Sequence, residues 1–167
     1  MESLTPVFAR FGHAALQAQD LEANLINLLL IQRQLEPDPI DRETLSNLEA
    51  LWSRKALGTL LSEARKRIDL PQEKAQELEA ARDRRNYLMH RFFYENAEAL
   101  MLDDALPHLQ AELDELAVLL KRASATVGDL YLSLLEAAGL TRDKFEEMRS
   151  GVMSDILTSA ESRWRRA

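Results

Sequence analysis

Leu106, Leu109, Leu113, Leu116, Leu120, Ala123, Val127, Leu130 and Leu134 recur in alternating steps of three and four residues without a miss. That spacing is the seam of a heptad pattern sustained over about four repeats, the geometry of a coiled coil or a long bundle helix. A stripe of that length must be buried, and packing within the same chain is the simpler solution, although a dimer interface could also use it. Ser124, Thr126 and Gly128 are poor helix formers and mark the place where such a helix would kink or break.

The rest of the chain agrees with an all-helical architecture. Only 5 Gly and 5 Pro occur in 167 residues, and no stretch shows the β-branched alternation of a strand. Thr5 as N-cap and Pro6 at the first helical position predict a first helix running to about Leu35. Phe8, Phe11, Ala15, Leu21, Leu25, Leu28 and Leu29 would form its apolar face. Glu36-Pro37-Asp38-Pro39 ends it, because proline cannot continue a helix and biases its predecessor towards extended backbone. A second helix is expected from about Arg42 with Leu45, Leu48, Leu51 and Trp52. It either continues or breaks near Ser53 into a stretch with Leu57, Leu60, Leu61 and Ile68. Leu70-Pro71 opens a third helix, expected to reach about Met101. The heptad helix is then the fourth. Gly139 is placed as a C-cap and Thr141 as a new N-cap, followed by a last helix with Phe145, Met148, Val152, Ile156, Ala160 and Trp164 on one face and a basic end at Arg163, Arg165 and Arg166. The expected fold is an all-α antiparallel bundle of about five helices, in one domain over residues 1–167.

Charge and composition narrow the function classes. The formal net charge of −7 is wrong for a general nucleic-acid coat, which would be basic. Two segments differ locally. Arg54 to Arg67 carries five cations against Glu63, a net of +4, and Arg82 to Arg91 carries four against Asp83, a net of +3. Such patches on an acidic body suit a localised anionic ligand, or are simply solvated helix faces. Without cysteine there is neither a disulfide framework nor a thiolate metal site, and the carboxylates do not cluster at metal-ligand spacing, so no metal and no cofactor is expected. The N-terminus lacks a basic-then-apolar leader, and Leu25 to Ile31 is interrupted by Asn27 and too short to span a bilayer. The expectation is a cytoplasmic protein with no membrane association.

One residue breaks the pattern. Leu78, Ala81, Leu88 and Phe92 mark the seam of the third helix, and Arg85 falls inside it. A guanidinium there is costly unless it is paired, hydrated in a cleft or placed for use. Asp83, Asn86, His90 and Tyr94 form a line at helical spacing beside the seam. On an ideal helix His90 lies about 140° round from Arg85, so the two side chains should diverge, and two copies across a two-fold axis would make a better pocket than one. Metal-free phosphodiester cleavage needs a group that moves protons near neutral pH and a fixed cation for the developing charge, roles suited to His90 and Arg85. The bland reading gives Arg85 a glutamate on a neighbouring helix or protomer, and makes His90 a surface residue bonded to Asn86 or Glu95. His13 and His108 lack partners at useful spacing. Tyr94 could stack an RNA base, whereas Phe92 belongs to the core.

Arg85-Asn86-Tyr87-Leu88-Met89-His90 resembles the short motif of the HEPN domains: an arginine, often a polar residue next, and a histidine four to six residues on. Arg91-Phe92-Phe93 is similar to the residues trailing the histidine in some members. The specific resemblance covers Arg82 to about Tyr94; helix number and order extend it over about 5–137, and an additional C-terminal helix at about 141–167 lies outside it. The resemblance implies a bundle of four or five helices that dimerises to bring two motifs into one cleft. It also implies a metal-independent endoribonuclease cutting RNA by 2′-hydroxyl attack to leave a cyclic phosphate, often as a toxin or defence effector held by an antitoxin. Arg85, Asn86 and His90 would then be catalytic, Arg82, Arg84, Arg91 and Tyr94 would bind substrate, and Asp83 would support them. The alternative is a non-catalytic helical adaptor that dimerises and binds a protein or RNA partner.

Overall fold

The computed structural model describes residues 3–38, 40–140 and 143. Among them the elements are α1 (Thr5–Gln34), α2 (Arg42–Trp52), α3 (Leu57–Arg67), α4 (Gln72–His90), the single turn α5 (Phe92–Glu95), two short 3₁₀ turns (Ala99–Met101 and Asp103–Ala105) and α6 (Leu106–Ala137), with no strand. The fold is an all-α bundle. The chain divides into two compact units, Met1–Tyr131 and Leu132–Ala167. Of the second, the end of α6 and the turn after it are described. Thr141, and the last helix expected from it, lie outside the described residues.

Helix directions follow from the cross-contacts. Arg65 of α3 pairs with Glu79 of α4, and a side chain at Gly58 would meet Arg82 Cδ at 3.2 Å, so α3 and α4 run antiparallel. Phe11 of α1 packs on Phe92, and Glu22 on Arg85, which makes α1 antiparallel to α4 as well. Glu77 of α4 accepts from Arg122 and Thr126 of α6, while Arg84, further along α4, shares a recess with Glu112, earlier on α6. α4 is therefore the central return helix between α1, α3 and α6.

The heptad stripe is buried within the one chain. Leu106, Leu109, Leu113, Leu116, Leu120, Ala123, Val127 and Leu130 are all buried, and α6 runs through Gly128 without interruption. The expected break is absent because Ser124 is not a loose polar residue. Its hydroxyl donates to Asp20 Oδ2 at 2.5 Å and accepts from Asn24 Nδ2 at 2.7 Å, so a buried polar group is satisfied across α1 and α6. Past Leu130 the buried position moves from Leu134, which is partly exposed, to Leu135. Gly139, at φ 86°, then closes α6: its N–H donates to Glu136 O and the Leu140 N–H to Leu135 O, which is a Schellman cap.

Several local expectations are corrected. Leu4 is the N-cap of α1, Thr5 is already helical, and Ser3 Oγ accepts from the Thr5 N–H. The first half of α1 buries Val7, Ala14 and Ala18 in place of Phe8 and Ala15. Small residues let neighbouring helices approach there, while Phe8 stays 53% exposed with its ring against Phe93. Between the two alternatives near Ser53, the structure takes the break: Ser53 Oγ turns back to Ala50 O, and Ala56 is extended ahead of α3. The motif helix stops at His90, well short of Met101. Arg91 leaves helical geometry (φ −128°, ψ −22°), and Asn96 Nδ2 donates to both Phe92 O and Tyr87 Oη, tying the chain after the break back to α4. These two breaks make the heptad helix the sixth α-helix of the chain, where the fourth helix was expected.

Asp41 caps α2, its carboxylate accepting from the Thr44 N–H at 2.8 Å. That bond holds the carboxyl below its ordinary value. A lowered native value means a stabilising contribution present above the unfolded aspartate range and lost as pH falls through the native one. Asp41→Asn keeps a capping oxygen that does not titrate. Acid unfolding of this variant, followed by circular dichroism, is expected to show a shallower loss of stability at low pH. An acid limb identical to wild type would remove Asp41 from the account.

Candidate functional site at the end of α4

The seam of α4 forms as the spacing predicts: Leu78, Ala81, Leu88 and Phe92 are buried. Arg85 enters between them with its side chain 19% exposed. Its guanidinium is divided. Nη2 lies 2.6 Å from Glu22 Oε1 on α1, a carboxylate 26% exposed. Nη1 lies 3.3 Å from Asn86 Oδ1 and 3.4 Å from His90 Nε2. Nε is buried without a hydrogen-bond partner. Glu22 Oε1 also makes no well-directed hydrogen bond, so the close approach to Nη2 is an ion pair of charges more than a directed bond.

Arg85 and His90 were expected to diverge within one chain. They meet, because a long flexible arginine spans the angle that the helix puts between them. Arginine has no lone pair, so a hydrogen bond in this contact requires His90 Nε2 as the acceptor, with the proton of the neutral ring on Nδ1. The glutamate that the bland reading required is Glu22. Nothing on α1 singled it out, since its partner is 63 residues away in the chain and glutamates are common on helix surfaces. Asn86, one of the two partners considered for His90, accepts from Arg85. Glu95, the other partner considered for His90, pairs with Arg91 at 3.3 Å instead.

The remaining motif cations are engaged locally. Arg82 binds Asp83 through Nε at 2.9 Å and Nη2 at 2.8 Å, so Asp83 supports Arg82 and does not reach Asn86 or His90. Arg91 lies over the Tyr87 ring at 5.7 Å as well as beside Glu95. Arg84 lines a shallow recess with Glu112, Glu115, Leu116 and Leu119. Tyr94 falls beyond the break at Arg91, off the polar line expected of it, and is 87% exposed. Tyr87 carries no expected role from the sequence, yet it ties the motif helix to Asn96, beyond the break at Arg91. Its hydroxyl accepts from Asn96 Nδ2 at 3.0 Å, and burial raises the phenol above its ordinary value, with the Glu112 carboxylate acting in the same direction against the Asn96 bond.

In the other basic segment, the end of α3 is a solvated ion-pair face. Arg65 pairs with Glu79, Lys66 with Glu63 at 3.1 Å and Arg67 with Glu36 at 3.1 Å. The Lys66 hydrogen bond holds the Glu63 carboxyl below its usual range. Counting charge within one segment missed Glu36 and Glu79, which other helices and turns supply. His13 and His108 are exposed. Among the described residues no helix is long and apolar enough to cross a membrane, and no three His, Cys, Asp or Glu side chains gather as a metal-holding group.

Set beside protein-family models, curated proteins and solved structures, the chain matches none. Its function has to be argued from the geometry and from the resemblance of the motif.

Proposed function

We propose that the protein is a metal-independent endoribonuclease of HEPN type, with the Arg85–Asn86–His90 constellation as its working centre. The observation that carries this reading is the approach of Arg85 Nη1 to His90 Nε2 at 3.4 Å, on an exposed helix end and beside the Asn86 carboxamide. A fixed cation and a proton-transferring ring thus share one spot that a phosphate can reach. In the reaction the ribose 2′-oxygen attacks the adjacent phosphorus and loses its proton, the bond to the 5′-oxygen breaks, and the departing oxygen takes up a proton. His90 serves as general base or acid, Arg85 holds the non-bridging oxygens, and Asn86 orients Arg85 or the substrate. A homodimer would supply a second histidine, so that one accepts the 2′ proton and the other protonates the leaving group. Arg82, Arg84, Arg91 and Tyr94 flank the centre as RNA-binding candidates, with Tyr94 free to stack a base. A role as a toxin or defence effector, with an antitoxin or regulatory protein as partner, comes from the resemblance alone.

Purified protein is expected to cut RNA in excess chelator and leave 2′,3′-cyclic phosphate ends, and His90→Ala is expected to reduce this by about a hundredfold or more. Strict dependence on magnesium, or full activity in His90→Ala, would sink the mechanism.

A second reading, a non-catalytic adaptor, is favoured by the exposed apolar side chains that come after the motif: Tyr94, Met101 and Leu102. Leu113 is fully buried, so Leu113→Asp would test folding and not docking. Changes at Met101 and Leu102 are the informative ones. If they abolish the biological effect while His90→Ala leaves it intact, the protein acts by binding.

A further inference from the structure

Glu22 is the closest polar neighbour of the Arg85 guanidinium, at 2.6 Å, against 3.3 Å and 3.4 Å for Asn86 and His90. The two long contacts are too weak to hold an arginine, whose side chain carries about 2 kcal/mol of rotamer entropy and gains hydration by swinging outward. Glu22 and Arg85 are both about a quarter exposed or less, so their attraction is screened less than that of a surface pair. The contact also selects an orientation. With Nη2 held inward by α1 and Nε enclosed, Nη1 is the nitrogen left to face His90 and the exterior.

We infer that Glu22 is the positioning residue of this centre: it fixes the Arg85 guanidinium so that Nη1 stands beside His90 Nε2, and through that contact it sets which imidazole nitrogen is the acceptor. Glu22 touches neither substrate nor reacting atoms. It acts from α1, a different element from the helix that carries the motif. The bond made by one ring nitrogen decides the protonation of the other, so the effect of Glu22 is readable on His90 itself. A plain structural ion pair would change stability and leave that ring alone.

The catalytic consequence rests on the nuclease reading, whereas the positioning itself does not, and the test separates them. Full-length protein labelled with ¹⁵N is compared as wild type, Glu22→Gln, Glu22→Ala and Arg85→Ala, with the His90 imidazole assigned by its loss in His90→Ala. Above the pH at which the ring titrates, wild type is expected to show the tautomer with Nδ1–H and Nε2 as acceptor. Glu22→Ala should move His90 to the spectrum seen in Arg85→Ala, and Glu22→Gln, which keeps an oxygen of the same reach, should fall between. With an RNA substrate, Glu22→Ala is expected to lower kcat by about tenfold or more, with KM unchanged or reduced, since positioning is lost while a negative charge near the phosphate is removed. An unmoved His90 spectrum in Glu22→Ala, or an unmoved kcat in a variant whose spectrum has shifted, overturns the assignment. If wild type cuts no RNA, the nuclease reading fails and the spectrum alone decides the role of Glu22. Should Glu22→Ala not fold, the isosteric Glu22→Gln carries both measurements.

Discussion

Arg85→Ala is expected to lower RNA cleavage by about a hundredfold to a thousandfold while changing stability by no more than about 2 kcal/mol. The activity loss follows from the absence of a substitute. Arg82 is tied to Asp83 and Arg91 to Glu95, and Arg84 lines a recess on the side of α4 that faces Glu112 and Glu115. None of them places a guanidinium nitrogen beside His90. The modest stability effect follows from exposure. Removing one partner of a sealed ion pair strands a charge and costs about 3–5 kcal/mol. Glu22 Oε1 is buried against Arg85, but the Glu22 side chain is 26% exposed, so the space vacated by truncation to alanine gives water a route to that oxygen. The loss of a buried, unpartnered Nε offsets part of the remainder. Arg85→Lys should rescue little, because a single ammonium cannot lie against Glu22 and His90 at once. Single-turnover cleavage and thermal melts on the same samples decide the matter. A variant that melts far below wild type yet retains its rate per folded molecule would show Arg85 to be a structural residue.

The parts of the fold readable in the sequence are those in which one helix suffices to make the argument. The alternating steps from Leu106 to Leu130 describe a stripe, and the stripe is buried. Gly139 terminates α6 because the left-handed turn it supplies is a local property of the chain. Arg85 stood out for the same reason, as a charge in a periodic seam. What could not be read depends on groups brought together from distant positions. Glu22 is one of many glutamates until α1 is laid antiparallel to α4. The break at Arg91 carries no Gly or Pro signal, and the contact that ties down the chain after it, Asn96 Nδ2 donating to Phe92 O and Tyr87 Oη, joins residues on either side of the break. Ser124 and Gly128 read as a weak point in α6 until Asp20 and Asn24 meet the serine hydroxyl. The choice of Val7 and Ala14 over Phe8 and Ala15 is of the same kind: periodicity locates a face to within one residue, and helix approach decides which side of it is sealed.

The break at Arg91 also makes Phe92 the residue on which the site depends from below. Phe92 is fully buried and touches three aromatic rings: Phe93 at 5.3 Å, Phe11 at 6.0 Å and Tyr87 at 6.0 Å, the first and last edge-on. It pins the chain immediately after His90, where the hydrogen-bond ladder of α4 has already ended. Phe92→Ala removes the ring and leaves a cavity among stiff neighbours, so a loss of about 3–5 kcal/mol is expected, a large share of the stability of a domain of this size. Phe92→Leu should recover most of that by refilling the space. Urea unfolding measures the loss and its recovery. Amide exchange locates it, since loss of the anchor should speed exchange at Asn86 to Phe93 more than in the middle of α6. Well below the melting temperature, the folded fraction of Phe92→Ala is expected to cleave RNA more slowly than wild type, because the ring that must meet Arg85 at 3.4 Å now sits on a frayed helix end. A variant that loses less than about 1 kcal/mol, or keeps slow exchange at His90, would mean that α5 holds the motif by its backbone and Asn96 alone, and that the aromatic cluster merely covers the end of the bundle.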